Sequence, residues 1–207
     1  MKKNPTATLC VTLMMSVLSS QAATLFWDAN GAAGCGGAGN WANGSGAFWG
    51  TACDTGLTTW NNANVDSATL SGTGATVTLT SGITVNKITV QATGYILSGG
   101  SILTFSGTGA GIDWNTAGSS FQLSCPYAGS LLTKTGSGRV NLNNSSSTIS
   151  KYLVQGGEIS TAAVNRFGTA PGRTKQIPQR SHHGPERGVL LPGAHLSAQT
   201  VLRLTVI

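Results

Sequence analysis

From Ser67 onward, apolar and small polar residues alternate in short runs, and glycines close the runs. Ala75-Thr76-Val77-Thr78-Leu79-Thr80 puts Val77 and Leu79 on one face and threonines on the other. Ile83, Val85, Ile88 and Val90 continue the pattern, with a parity shift at Asn86-Lys87 that reads as a bend or bulge. Further apolar positions follow at Tyr95, Leu97, Leu103, Phe105, Ile112, Trp114, Phe121, Leu123, Val140, Leu142, Leu153 and Ile159. Period two is the spacing of side chains along one face of a strand, and nothing here carries a 3.6-residue apolar stripe. The chain is therefore all-β.

A sandwich or barrel and a β-solenoid both accept such strands. The solenoid fits better. Half of residues 23–171 are Gly, Thr, Ser or Asn, and each run is too short to bury much by itself. In a solenoid every coil buries its apolar residues against its neighbours, so a thin core becomes continuous. The expected fold is a right-handed parallel β-helix, with Val77, Leu79, Val85, Leu97, Phe105, Leu123, Val140, Leu142 and Val154 inside.

Charge is concentrated at the two ends. The whole chain has 12 Lys+Arg against 6 Asp+Glu, but residues 23–171 balance five of each. Nucleic-acid binding rests on clustered cations that displace counterions from phosphates. This body offers no such cluster, so nucleic acid is not an expected partner.

Residues 1–22 read as a signal peptide: Lys2-Lys3, an apolar run from Ala7 to Leu18, then small residues at Ser20 and Ala22. The run is shorter than the roughly 20 residues a membrane span takes. Cleavage is expected after Ala22, with Ala23 the alternative, leaving no membrane span in the exported chain. Cys10 departs with the signal. Of Cys35, Cys53 and Cys125, the nearer pair is the disulfide candidate in an oxidising compartment. Three unpaired buried thiols is the alternative reading. No Cys or His spacing suggests a metal site, and no cofactor is expected.

Residues 23–66 form a Trp- and Asn-rich segment holding Trp27, Trp41, Trp49 and Trp60. Asn-Gly steps make tight turns, so each Trp is expected on a short strand running into a turn. Large rings can cover the open end of a stack built of Gly and Ser. They can also stack on sugars, and that is the functional alternative for these four residues.

Within the 67–171 repeat region, Leu132-Thr133-Lys134-Thr135-Gly136-Ser137-Gly138-Arg139-Val140-Asn141-Leu142, followed by Val154-Gln155-Gly156-Gly157-Glu158-Ile159, resembles the autotransporter-associated β-strand repeat. The motif residues are Leu132, Lys134, Gly136, Gly138, Val140, Leu142 and Gly157. Thr148, Ser150 and Tyr152 depart from the usual loop residues, and Asn165-Arg166-Phe167-Gly168 looks like the lead into another repeat. The resemblance implies a passenger domain that is secreted or displayed on the outer-membrane surface of a Gram-negative-type bacterium. It implies adhesion to an extracellular polysaccharide or host-surface ligand, and no catalytic residue.

After Pro171 the character changes: residues 172–207 hold all three histidines and no aromatic among Phe, Trp and Tyr. This basic tail is expected to lie outside the β-helix, and a shifted reading frame would explain it. The open end of the stack is expected to favour self-association. Residues 23–171 have no histidine, and their acids Asp28, Asp54, Asp66, Asp113 and Glu158 are scattered. A triad is thereby excluded from that body, and a carboxylate pair has no support in spacing. The expected function is a non-enzymatic structural or adhesive passenger. The alternatives are an extracellular carbohydrate-binding module or a polysaccharide-degrading β-helix enzyme.

Overall fold

The computed structural model describes residues 22–161. Most of the proposed signal, the lead at 165–168 and the basic tail lie outside these residues. The first strands are β1 (Thr24–Trp27), β2 (Gly39–Trp41) and β3 (Trp49–Gly50). Three-stranded coils then repeat. They are β4 (Ser67–Leu70), β5 (Thr76–Leu79) and β6 (Ile83–Val85); β7 (Lys87–Val90), β8 (Ile96–Ser98) and β9 (Leu103–Phe105). The third is β10 (Gly111–Trp114), β11 (Ser120–Leu123) and β12 (Tyr127–Gly129). The fourth is β13 (Leu132–Thr135), β14 (Arg139–Leu142) and β15 (Thr148–Ile149). Strands β16 (Tyr152–Val154) and β17 (Glu158–Thr161) begin another.

Each strand pairs in parallel with its equivalent one coil on, giving three sheets of seven, six and four strands. The result is a β-solenoid of about five turns. The expected parallel β-helix is present. Strand β3 is the exception, because it runs antiparallel to β1 and closes that edge.

Register makes the core. In the seven-stranded sheet Ala68, Ile88, Ile112, Lys134 and Val154 stand in one column. In the six-stranded sheet Val77, Leu97, Leu123 and Leu142 form another. Ile83 and Leu103, with Val85 and Phe105 beside them, serve the third. Stacked β-branched and aliphatic side chains fit between rungs about 4.8 Å apart. Every residue assigned inward is buried except Val154, which is half-buried against the core. Leu153 differs from expectation: at 38% exposed it faces outward, because Lys134 below Val154 fixes the opposite parity.

The parity shift at Asn86 is a corner between β6 and β7. Its side-chain oxygen accepts from the Gly109 N–H at 3.0 Å, and its own N–H donates to Asp66 O at 2.9 Å. Sequence reasoning passed over Tyr127 and Ile149, both buried. Their strands are only three and two residues long, too short for alternation to register.

Candidate functional site

The Trp-rich segment lies at one end of the stack. Trp27 ends β1, Trp41 ends β2, Trp49 starts β3, and Trp60 bridges Asn43. The rings interlock: Trp41 to Trp49 is 4.6 Å between centroids, Trp49 to Trp60 is 4.8 Å, and Trp41 to Trp60 is 5.0 Å. Trp27 meets Trp49 edge-on at 5.1 Å and Phe48 at 5.5 Å. All four are fully buried. Sugar stacking requires an open ring face, and burial leaves none on these four. They close the core.

Polar groups fasten this cap. Trp27 Nε1 donates to Gly37 O at 2.8 Å. Trp60 Nε1 donates to Asn62 Oδ1 at 3.1 Å and to Thr84 O at 3.2 Å. Asn62 also accepts from the Thr84 N–H at 2.8 Å and donates to Gly82 O at 2.9 Å, tying the cap to β6. Cys35 and Cys53 form a disulfide with Cα atoms 5.0 Å apart, closing the loop that carries Trp41 and Trp49. Cys125 is free and buried, and burial pushes its thiol pKa up to about 12. A thiol held protonated in this way is poorly nucleophilic.

The repeat residues occupy the other end. Leu132, Val140 and Leu142 are buried. Gly136 has φ +77°, and a methyl at Gly138 would overlap the Trp114 indole. The glycine spacing therefore leaves room for Trp114 to lie under the turn. Lys134 is the unexpected member, only 1% exposed. Its ammonium donates to Thr135 O, to Gly136 O at 2.8 Å and to Gly156 O at 3.3 Å. It gathers carbonyls of two successive glycine turns. Desolvation lowers its pKa to about 8, against an opposing pull from Asp113. Its type hid its place. The apolar residues 22 before and 20 after it in register are the signal that could have revealed it.

The sides of the stack present small polar residues. Thr84, Thr104, Ala128 and Thr148 stand in one outward column. Thr78 and Ser98 are hydrogen-bonded at 3.3 Å. A shallow polar groove is lined by Gly118, Ser119, Ser120, Ser137, Arg139 and Glu158. Arg139 Nε donates to Glu158 Oε2 at 3.2 Å, while Glu158 Oε1 is buried without a hydrogen-bond partner.

The acids serve local structure. Asp28 accepts from the Asp54 N–H, Asp54 from the Gly34 N–H, and Asp113 pairs with Lys87 at 3.6 Å. Asp28 and Asp66 are buried. Among the described residues no three His, Cys, Asp or Glu side chains gather as a metal site. No helix among them is long and apolar enough to cross a membrane.

No protein-family profile matches the chain, and no solved structure does. One curated relative is similar: the adhesin BmaC autotransporter of Brucella suis biovar 1 (strain 1330), 37% identical over 169 residues. The match takes in 79% of this chain and spans about 5% of the length of that relative. The coils and the repeat at Leu132–Leu142 agree with that likeness. The chain is a β-solenoid related in sequence to an autotransporter adhesin, as an autotransporter passenger fragment would be.

Proposed function

We propose that this chain is an exported, non-catalytic passenger segment that adheres through the sides of its stack. The observation carrying this reading is the 37% identity to a protein named as an autotransporter adhesin. Such a segment belongs outside the cell, secreted or on the outer-membrane surface. Its partners are extracellular polysaccharides or host-surface ligands. The physical support is a lateral surface of Thr, Ser, Asn and Gln, whose hydroxyls and amides both donate and accept. Such groups exchange hydrogen bonds with water for bonds with a polar ligand at little desolvation cost.

The Arg139–Glu158 groove favours a carbohydrate as that ligand. It pairs a cation and a carboxylate with three serines, groups that donate to and accept from sugar hydroxyls. The test is display of the chain on a non-adherent Gram-negative host, followed by host-cell and glycan-array binding. Adhesion above the empty host, weakened by Arg139→Ala, is the expected result. No adhesion from a displayed, folded chain would sink the reading. Release of reducing sugar from any bound polysaccharide would replace it with the hydrolase.

A further inference from the structure

We infer that signal removal creates an ion pair, in which the new α-ammonium of Ala23 is held by the buried carboxylate of Asp66. This rests on the exported reading above. The starting observation is geometric: Ala23 N donates to Asp66 Oδ1 at 2.7 Å. Asp66 is only 3% exposed, and its other oxygen meets Asn64 Nδ2 at 3.3 Å. Among the described residues the ion pairs are Lys87–Asp113 and Arg139–Glu158, and neither involves Asp66. A buried carboxylate ordinarily has a cation beside it.

The next corner of the solenoid sharpens the point. Thr24 pairs with Ser67, and Ala68 pairs with Ile88, so Ala23, Asp66 and Asn86 stand one above another. Asn86 accepts a backbone N–H from Gly109 through its side-chain oxygen, as Asp66 does from Ala23. At that corner the donor is an ordinary peptide N–H and the acceptor a neutral amide. The charged residue stands where the donor nitrogen is the one that cleavage after Ala22 would release.

The backbone around Asp66 is built to aim it. Val65 adopts φ 52°, ψ 45°, a left-handed conformation that a β-branched residue rarely accepts. It ends the 3-10 turn Asn62–Asn64, whose N-cap is Asn61. On the other side, the Ser67 N–H donates to Ala23 O at 2.7 Å. Ala23 is thus gripped at both its nitrogen and its oxygen, while Ala22 is exposed.

The step balances simply. An envelope signal peptidase adds water across the Ala22–Ala23 peptide bond; Ala22 leaves with a carboxylate, and the Ala23 amine takes up a proton. The existing hydrogen bond becomes charge-assisted. Processing therefore locks β1 onto β4 at the capped end of the stack, so the mature chain is tighter than its precursor.

The full chain, expressed with export, tests this in three readings. Intact mass should place the first residue at Ala23. A chain left full-length in the cytoplasm would overturn the export reading, whereas export with another first residue would overturn only this inference. In the processed protein, an amine-reactive acetylating reagent should modify the α-amine at least about ten-fold more slowly than in urea, or than in Asp66→Asn; equal rates reject the pair. Finally, Asp66→Asn should lower the Tm of the processed chain by about 3 °C or more. It should leave the uncleavable Ala22→Leu precursor nearly unchanged. An equal loss in both forms would show that Asp66 holds only the peptide N–H.

Discussion

The cap and the coils solve one problem with opposite materials. From Ser67 to Thr161 the interior is made of small increments, an apolar residue or two per strand, repeated in register every 19 to 26 residues. From Ala23 to Asp66 regular pairing is sparse: β3 has two residues, and isolated bridges such as Asn43–Trp60 do much of the joining. Four tryptophans supply the buried volume there. A coil has a neighbour on each side to cover it, whereas an end has one. Rings that bury about 150–250 Å² each replace the missing neighbour, and a disulfide closes the loop that carries Trp41 and Trp49.

The two materials should fail differently. Val140 sits in register between Phe121 and Ile159 in successive coils. Val140→Asp would place an unpaired carboxylate there, and a loss above about 4 kcal/mol is expected, enough to abolish cooperative unfolding. Unchanged thermal unfolding would contradict the inward column. Trp49→Ala, which opens a cavity touching Trp27, Trp41 and Trp60, should cost about 3–5 kcal/mol. Hydrogen exchange should show that loss in β1–β4 and spare β13–β17. Uniform loosening would mean that the cap and the coils unfold as one unit. Reducing Cys35–Cys53 comes third, at about 3 kcal/mol for a loop of this size. A Tm that does not respond to reductant would show the loop to be ordered by its other contacts.

Alternation exposed the coils because a strand's period survives any fold around it. Thr76–Leu79 shows its buried face in four residues alone, since Val77 and Leu79 differ so sharply from their threonine neighbours. What the sequence concealed was register. The coil length varies through turns such as Gly107 to Gly109, so only Leu132–Leu142 announced its repeat. Leu153 shows the consequence: its own hydrophobicity suggested burial, but its column placed it outside. The Arg139–Glu158 groove was equally hidden, because its residues come from three coils and none is unusual in its own segment. Trp27, Trp41, Trp49 and Trp60 were visible as a group from the start. Whether such rings face water or each other depends on contacts the chain makes across 8 to 22 residues, and composition carries none of that.

The smallest expected effect concerns Lys134, a charged side chain used as core within the coils. In the folded chain burial lowers its pKa to about 8, whereas an unfolded lysine titrates near 10.4. Between those values the unfolded chain binds more protons at this site, so stability should rise with pH. The gain is bounded by one proton, about 1.4 kcal/mol per pH unit, and carbonyl bonds to the ammonium reduce it further. Cys125 works against it. Its buried thiol titrates near 12, so the unfolded thiol, ionising from about 8.5, draws stability away as pH rises. Tyr95, also raised to about 12 by burial, joins Cys125 above about pH 10. The wild-type curve alone is therefore ambiguous, and the difference between wild type and Lys134→Met isolates the lysine. Methionine fills the same column between Ile112 and Val154 without a charge, so its advantage over lysine should be greatest below pH 8. That advantage should shrink steadily between pH 8 and 10. Denaturant midpoints at half-unit intervals would read it, and a difference independent of pH would show that Lys134 keeps an ordinary pKa inside the stack.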